Sequence, residues 1–191
     1  MIKPGQSVLV VGSGMKTPPT PDAVNMDIFM FPYVDVAADA HRIPFSDNSM
    51  DWIICEFMLE HVANPFIVCS EMRRVIKPGG KLYLSYPFIH PYHSFPHDYF
   101  RFTENGVHQM LQGMISLESG VLSGPACRWI GASADLVCSL LGARRRIRML
   151  IRFIILALLF PVKFLDLICN RHKETMGEAI SLYGLFEKPD K

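Results

Sequence analysis

The segment from Asp47 to Tyr86 constrains the fold of this chain more than any other. Its run DWIIC (51–55) is short, apolar and bounded by polar residues, as in a strand buried on both faces. Pro65 can open a helix, because its missing N–H falls where a helix has no partner for it. Phe66, Ile67, Cys69, Met72, Val75 and Ile76 then recur at helical spacing. Lys77 suits the last turn, Pro78 stops the helix, and Gly79-Gly80 supply a turn with φ > 0. Lys81 to Tyr86 returns to strand. A strand, a helix and a second strand in this order form a right-handed parallel crossover. Sheets of that kind bind ligands at the carboxyl ends of their strands, where Glu56 and the residues after Tyr86 fall.

The same stretch carries a set of motifs. Asp51 opens the strand. Leu59-Glu60-His61-Val62 reads LEHV, and Glu71 to Gly80 reads E-x-x-R-V-x-K-P-G-G. Upstream, Asp39, Ala40, Pro44 and Phe45 make D-A-x-x-x-P-F. On these residues the chain resembles the class I S-adenosylmethionine-dependent methyltransferase domain in its small, type 11 form, over about residues 5 to 122. The resemblance implies an α/β, Rossmann-like sheet of about seven strands, mostly parallel with an antiparallel last strand. It also implies a methyltransferase that uses S-adenosyl-L-methionine.

Composition sets outer bounds. A chain of 191 residues suits one domain: a core over 1–122, a helical apolar insertion over 123–178 and a last strand over 179–188. A net charge of +1 speaks against a nucleic-acid partner held by bulk electrostatics. Five cysteines without a C-x-x-C pair speak against a disulfide framework, and with no secretory signal at the start the expected location is cytoplasmic.

The amino-terminal half supplies cofactor candidates. Residues 7–11 form a first strand ending in Gly12-Ser13-Gly14, where the missing Cβ atoms let backbone N–H groups approach a ligand. A second strand, Ala23 to Ile28, carries Asp27, whose carboxylate can accept bonds from two ribose hydroxyls. Between them lie Pro18, Pro19 and Pro21, so the usual first crossover helix is expected to be absent or reduced to a turn. Val10 stands where the family commonly has an acidic residue. After a third strand (34–38), the resemblance implies that Asp39 bonds the adenine amino group, with Ala40 or His41 beside the ring. Glu56, at the end of the fourth strand, faces the expected cleft by position.

The acceptor side is expected in residues 87–103, PFIHPYHSFPHDYFRFT, a long irregular loop after the fifth strand. It holds His90, His93, His97, Asp98 and Arg101, with Tyr92, Phe95, Tyr99 and Phe100 among them. Methyl transfer needs mainly positioning, plus a base when the acceptor is a hydroxyl or protonated amine. His93 or His97 could serve as that base with Asp98 as its orienter, and Tyr92, Tyr99 and Arg101 as substrate contacts. Two other readings stay open for the histidines: ordinary loop residues, or a metal site on H-x-x-H-x-x-x-H-D. Without another ligand cluster in the sequence, no metal is expected. Thr103 caps a helix expected over 104–114.

The last third is more apolar. A strand over 115–122 and a helix over 128–141 precede Arg144, Arg145, Arg146, Arg148 and Arg152, and then FIILALLFPV, apolar on every side. That run of 10 residues, followed by Pro161, Lys163 and Asp166, is short of the ~20 needed to span a bilayer. Residues 147–168 are expected to meet a membrane surface or a second copy of the chain. The acceptor would be a small molecule or a lipid- or glycan-linked group. The alternative function is a catalytically degenerate methyltransferase fold that binds a membrane or partner.

Overall fold

Residues 2–94, 96–142 and 144–190 are described by the structure, a computed structural model, together with all their side chains except those of Arg145 and Lys173. Phe95 of the 87–103 loop and the side chain of Arg145 in the arginine run lie outside the described residues. The chain forms two compact units. One contains residues up to Pro87, Pro91–Ser119 and the residues from Tyr183 onward; the other contains Phe88–His90 and Gly120–Leu182.

The sheet has seven strands: β1 Val8–Val11, β2 Ala23–Asp27, β3 Val36–Ala37, β4 Met50–Glu56, β5 Ile76–Pro87, β6 Ile115–Ser123 and β7 Ser181–Glu187. Their order is β3-β2-β1-β4-β5-β7-β6. The first five pair in parallel, with Val10 opposite Asn25 on one side and Ile54 on the other. Strand β7 runs antiparallel to β5: Lys188, just after β7, bonds Gly79 and Gly80 near the start of β5, and Ile180, just before β7, accepts from Phe88 N just past the end of β5. This is the mixed sheet that the resemblance implies. Val8, Leu9, Val10 and Val11 are all buried, which explains a continuous apolar run rather than an alternating one. Three strand starts are tied together by Asp51: its carboxylate accepts from the Ser7 N–H at 2.8 Å and from Lys77 Nζ at 2.9 Å.

No helix connects β1 to β2 or β2 to β3. The three prolines exclude the first, and eight residues are too few for the second. The helix of the founding segment, α1, spans Pro65–Val75, and Asn64 caps it by accepting from Ile67 N. Its buried face is Pro65, Val68, Cys69, Met72 and Val75. Phe66 and Ile67 are exposed, which corrects their expected place on the inner face. The Pro-Gly-Gly turn also needs correction. Strand β5 begins at Ile76 and takes residues 77–80 as a bulge opposite Asp51, so Ile76 pairs with Met50 and Lys81 already pairs with Trp52. Helix α2, Glu104–Met110, is shorter than expected and is capped by Thr103 Oγ1, which accepts from Gly106 N.

Among the described residues the second unit contains three α-helices: α3 Pro125–Leu140, α4 Arg145–Leu159 and the short α5 Asp166–Cys169. Helix α3 starts earlier than the expected 128 because Pro125 opens it and the buried Asp166 accepts from the N–H groups of Ala126 and Cys127 at 2.8 and 3.1 Å. Helix α4 packs along α3, where Arg152 pairs with Asp135. The apolar run does not continue as one helix: Phe160–Leu165, which contains Pro161, tightens into a 3₁₀ segment. No helix among the described residues is long and apolar enough to cross a membrane.

Candidate functional site

The carboxyl ends of β1 to β5 converge on a pocket of about 560 Å³, within the ~300–1,000 Å³ usual for small-molecule sites. Gly12 and Gly14 follow β1, Asp27 ends β2, Asp39 and Ala40 follow β3, and all five line the pocket. Phe57, Met58, His61 and Val62 follow β4, and Pro96, His97 and Tyr99 come from the loop after β5. The first unit supplies all of these residues.

Gly12 has φ +71°, and a Cβ there would run into Met58 Cγ and lie 2.7 Å from Met58 Cβ. The position requires glycine for space as well as for backbone conformation. Its donors are used differently from the expectation. Gly12 N and Ser13 N both donate to Met26 O, at 2.9 and 3.1 Å, and Gly14 N donates to Asp27 Oδ2 at 2.8 Å. The short connection folds the loop back onto β2, so these N–H groups brace the wall and do not face a ligand.

Asp27 also accepts from Phe29 N at 2.9 Å through Oδ1. One bond on each oxygen fixes the carboxylate and leaves each a second lone-pair direction. Asp39 Oδ1 accepts from His41 N at 2.9 Å and lies 2.6 Å from His41 Nδ1. The His41 backbone bond, then the ring bond, hold this carboxyl below the ordinary aspartate range. Much of the remaining wall is apolar, with Met26, Ile28, Phe29 and Phe31 joining Phe57 and Met58. A nucleoside with a sulfonium side chain fits such a site: apolar walls for the base, and two fixed carboxylates for hydroxyl and amino donors.

Glu56 does not line this pocket. Lys16 from the proline-rich connection pairs with it at 2.8 Å, which corrects its expected cofactor role. His97 and Tyr99 reach the pocket, their rings 5.4 Å apart. His93, Asp98 and Arg101 form a separate cluster, and Tyr92 is 76% exposed. Asp98 is fully committed: both oxygens bond Arg101, and Oδ2 accepts from His93 N at 2.7 Å. The Arg101 guanidinium holds the Asp98 carboxyl well below the usual range. Asp98 therefore braces Arg101 and the His93 backbone; of the two rings it is expected to orient, that of His93 lies near it, with Nδ1 3.6 Å from Oδ2, and no bond links it to His97 among the described residues.

The expectations missed Phe57, which takes φ +52° to turn the chain off β4, and Glu60, which is fully buried. No local pattern signals the first. Glu60 was in view as part of LEHV, but nothing in the sequence says that its side chain points inward.

Residues 16–84 match the family model described as a methyltransferase domain. The demethylmenaquinone methyltransferase of Renibacterium salmoninarum is 38% identical over 104 residues, which cover 46% of this chain and 44% of that protein. A ubiquinone/menaquinone biosynthesis C-methyltransferase of Cupriavidus necator is 48% identical over 44 residues, 23% of this chain and 18% of its own length. The chain thus spans less than half the length of these curated relatives. Among solved structures, the [4+2]-cyclase SpnF superposes with a TM-score of 0.60 at 15% identity, covering 98% of this chain and 76% of that one. A Haemonchus contortus phosphoethanolamine N-methyltransferase in complex with S-adenosyl-L-methionine gives 0.59 at 15%, covering 99% and 50%. At such identities the likeness is one of fold, and a cyclase among the neighbours shows that this fold alone does not settle the chemistry.

Proposed function

We propose that this chain, which carries a type 11 methyltransferase domain on a class I methyltransferase fold, transfers a methyl group from S-adenosyl-L-methionine to a small-molecule acceptor. The observation that carries the reading is the convergence of Gly12, Gly14, Asp27, Asp39 and Ala40 on one pocket at the carboxyl ends of the parallel strands. The cofactor supplies an already activated methyl group, so the protein's task is placement and exclusion of water. Asp27 would hold the ribose hydroxyls and Asp39 the adenine amino group, and Gly12 lets Met58 pack closely against the end of β1 in the same wall. His97 and Tyr99 stand on the acceptor side of the same pocket, and His97 is the candidate base. The matched relatives are named for quinone methylation, which favours an aromatic or quinone-like acceptor, in free or lipid-linked form.

Calorimetry with S-adenosylmethionine and its demethylated product tests this. Asp27→Ala should weaken both by about 10- to 100-fold, the worth of a hydrogen bond to a charged group. Unchanged affinity would remove the Asp27 assignment. A second reading, a non-catalytic binding module, draws on the loop N–H groups that are all bonded internally. It would be favoured if the wild-type chain bound neither compound at millimolar concentration.

A further inference from the structure

Beside the pocket lies a cluster that methyl transfer does not require. Glu60 is 0% exposed, and neither of its carboxylate oxygens has a hydrogen-bond partner among the described residues. A bare carboxylate is costly to bury in an apolar setting. Two imidazole nitrogens face one of its oxygens: His61 Nε2 is 3.8 Å and His93 Nε2 3.7 Å from Oε1.

The backbone sets the tautomers of both rings. His61 Nδ1 lies 2.5 Å from His97 O, and His93 Nδ1 lies 3.0 Å from Pro91 O. A carbonyl can only accept, so each Nδ1 carries a proton, and Nε2 is the nitrogen of each ring turned toward Glu60. Arg101 Nη2 approaches His93 Nδ1 only to 3.5 Å, and the nearer carbonyl decides. Two imidazole nitrogens and a buried carboxylate oxygen therefore converge. The ligand atoms all lie within 4.8 Å of one another, and the rings meet edge to face at 5.1 Å. Zinc with ~2.0–2.2 Å bonds in tetrahedral geometry sets its ligands roughly 3.3–3.6 Å apart, only a few tenths of an ångström less than the separations to Oε1. Carbonyls on the far ring nitrogens are the usual outer partners of metal-bound histidines.

We propose that Glu60 Oε1, His61 Nε2 and His93 Nε2 form a binding site for a divalent cation of the zinc class. The donor set of two imidazoles and one carboxylate suits zinc and its neighbours over magnesium or calcium. Three protein ligands leave a further position for water or an oxygen ligand. The cation balances the buried carboxylate and ties the LEHV turn to the loop at His93. Of the three loop histidines in H-x-x-H-x-x-x-H-D, only His93 takes part. The cation site is independent of the methyl-transfer reading, and it is tested without the cofactor.

The full chain, stripped with chelator, is titrated with Co²⁺ and then Zn²⁺. One equivalent of Co²⁺ should give visible d–d absorption, one equivalent of Zn²⁺ should abolish it, and Zn²⁺ should raise Tm by several degrees. Glu60→Gln and the double variant His61→Ala/His93→Ala should each lose at least 100-fold in Zn²⁺ affinity, whereas His172→Ala should bind as the wild type does. Circular dichroism of the stripped variants checks folding. If the double variant does not fold, the near-isosteric Glu60→Gln decides alone. Absence of stoichiometric binding at micromolar Zn²⁺, or binding that survives Glu60→Gln or the double substitution, overturns the site.

Discussion

Arg74 fastens a segment that has almost no regular structure of its own. Its guanidinium donates to the main-chain oxygens of Ile43 and Phe45, to Asp47 and to both oxygens of Glu71. Glu71 in turn accepts from Ile43 N at 2.9 Å. The E-x-x-R pair is therefore a clamp that holds residues 43–47 against α1. Arg74 holds the Glu71 carboxyl below its ordinary value of 4.5. A carboxyl depressed by folding contributes stability that is fully present above that value and is lost as pH falls through the folded one. Glu71→Gln should cost about 1–2 kcal/mol at pH 7, with allowance for the partial exposure of the pair. The gap to wild type in urea midpoint should narrow below pH 4.5; a gap that is flat with pH would show that the charge contributes nothing. The sequence shows this motif plainly, but spacing along a helix reveals neither its loop partners nor the inward turn of Glu60. Both depend on contacts made by residues distant in the chain.

At the scale of elements, the parallel strands and α1 were legible because each buries a distinct apolar pattern. The missing crossover was legible because Pro18, Pro19 and Pro21 exclude a helix whatever the tertiary context. The bulge of β5 was not. Pro78-Gly79-Gly80 carries the same local signals whether it ends a helix in a free turn or is drawn into a sheet edge. Pairing decides between them: Gly79 N donates to Lys188 O at 2.8 Å and Lys188 N to Gly80 O at 3.0 Å. A Cβ on Gly80 would lie 2.8 Å from Lys77 O and 3.0 Å from Asp51 O, both backbone atoms that cannot rotate away. Gly80→Ala should therefore open the bulge and destabilise by about 1–3 kcal/mol, the usual cost of overpacking. Gly5→Ala is not a fair control because of its positive φ; Gly131→Ala, in helix α3 with open space around its Cβ, is. Equal urea midpoints for Gly80→Ala and Gly131→Ala would show that the bulge accommodates a side chain.

At the scale of the whole molecule, the two units differ in what their surfaces do. The first buries the core of the sheet and carries the pocket at the carboxyl ends of its strands. In the second, no described side chain of α4 is buried, and Phe153 and Leu158 are 70% and 74% exposed. Ile151, Arg152, Ile155 and Leu159 are the half-buried side of α4. Ile147, Leu150, Phe153, Ile154 and Leu158 remain on the surface. Phe160, Phe164, Leu167 and Ile168 extend this apolar surface past the helix. Arg144 and Arg146 are exposed at its start, and α4 contains no acidic residue. An apolar face beside cations is the composition of a helix lying on anionic lipid, where each arginine near the surface is worth about 1 kcal/mol. A second copy of this chain would bring arginines against arginines unless it found acidic residues elsewhere. The expected outcome is sedimentation with vesicles that contain phosphatidylserine, weakened by added salt, and little with neutral vesicles. Phe153→Glu should remove most binding by placing a charge on the apolar face, and Arg146→Glu should remove mainly its lipid-charge dependence. If light scattering instead shows a stable dimer that Phe153→Glu splits, and vesicles stay unbound, the apolar face serves a protein partner.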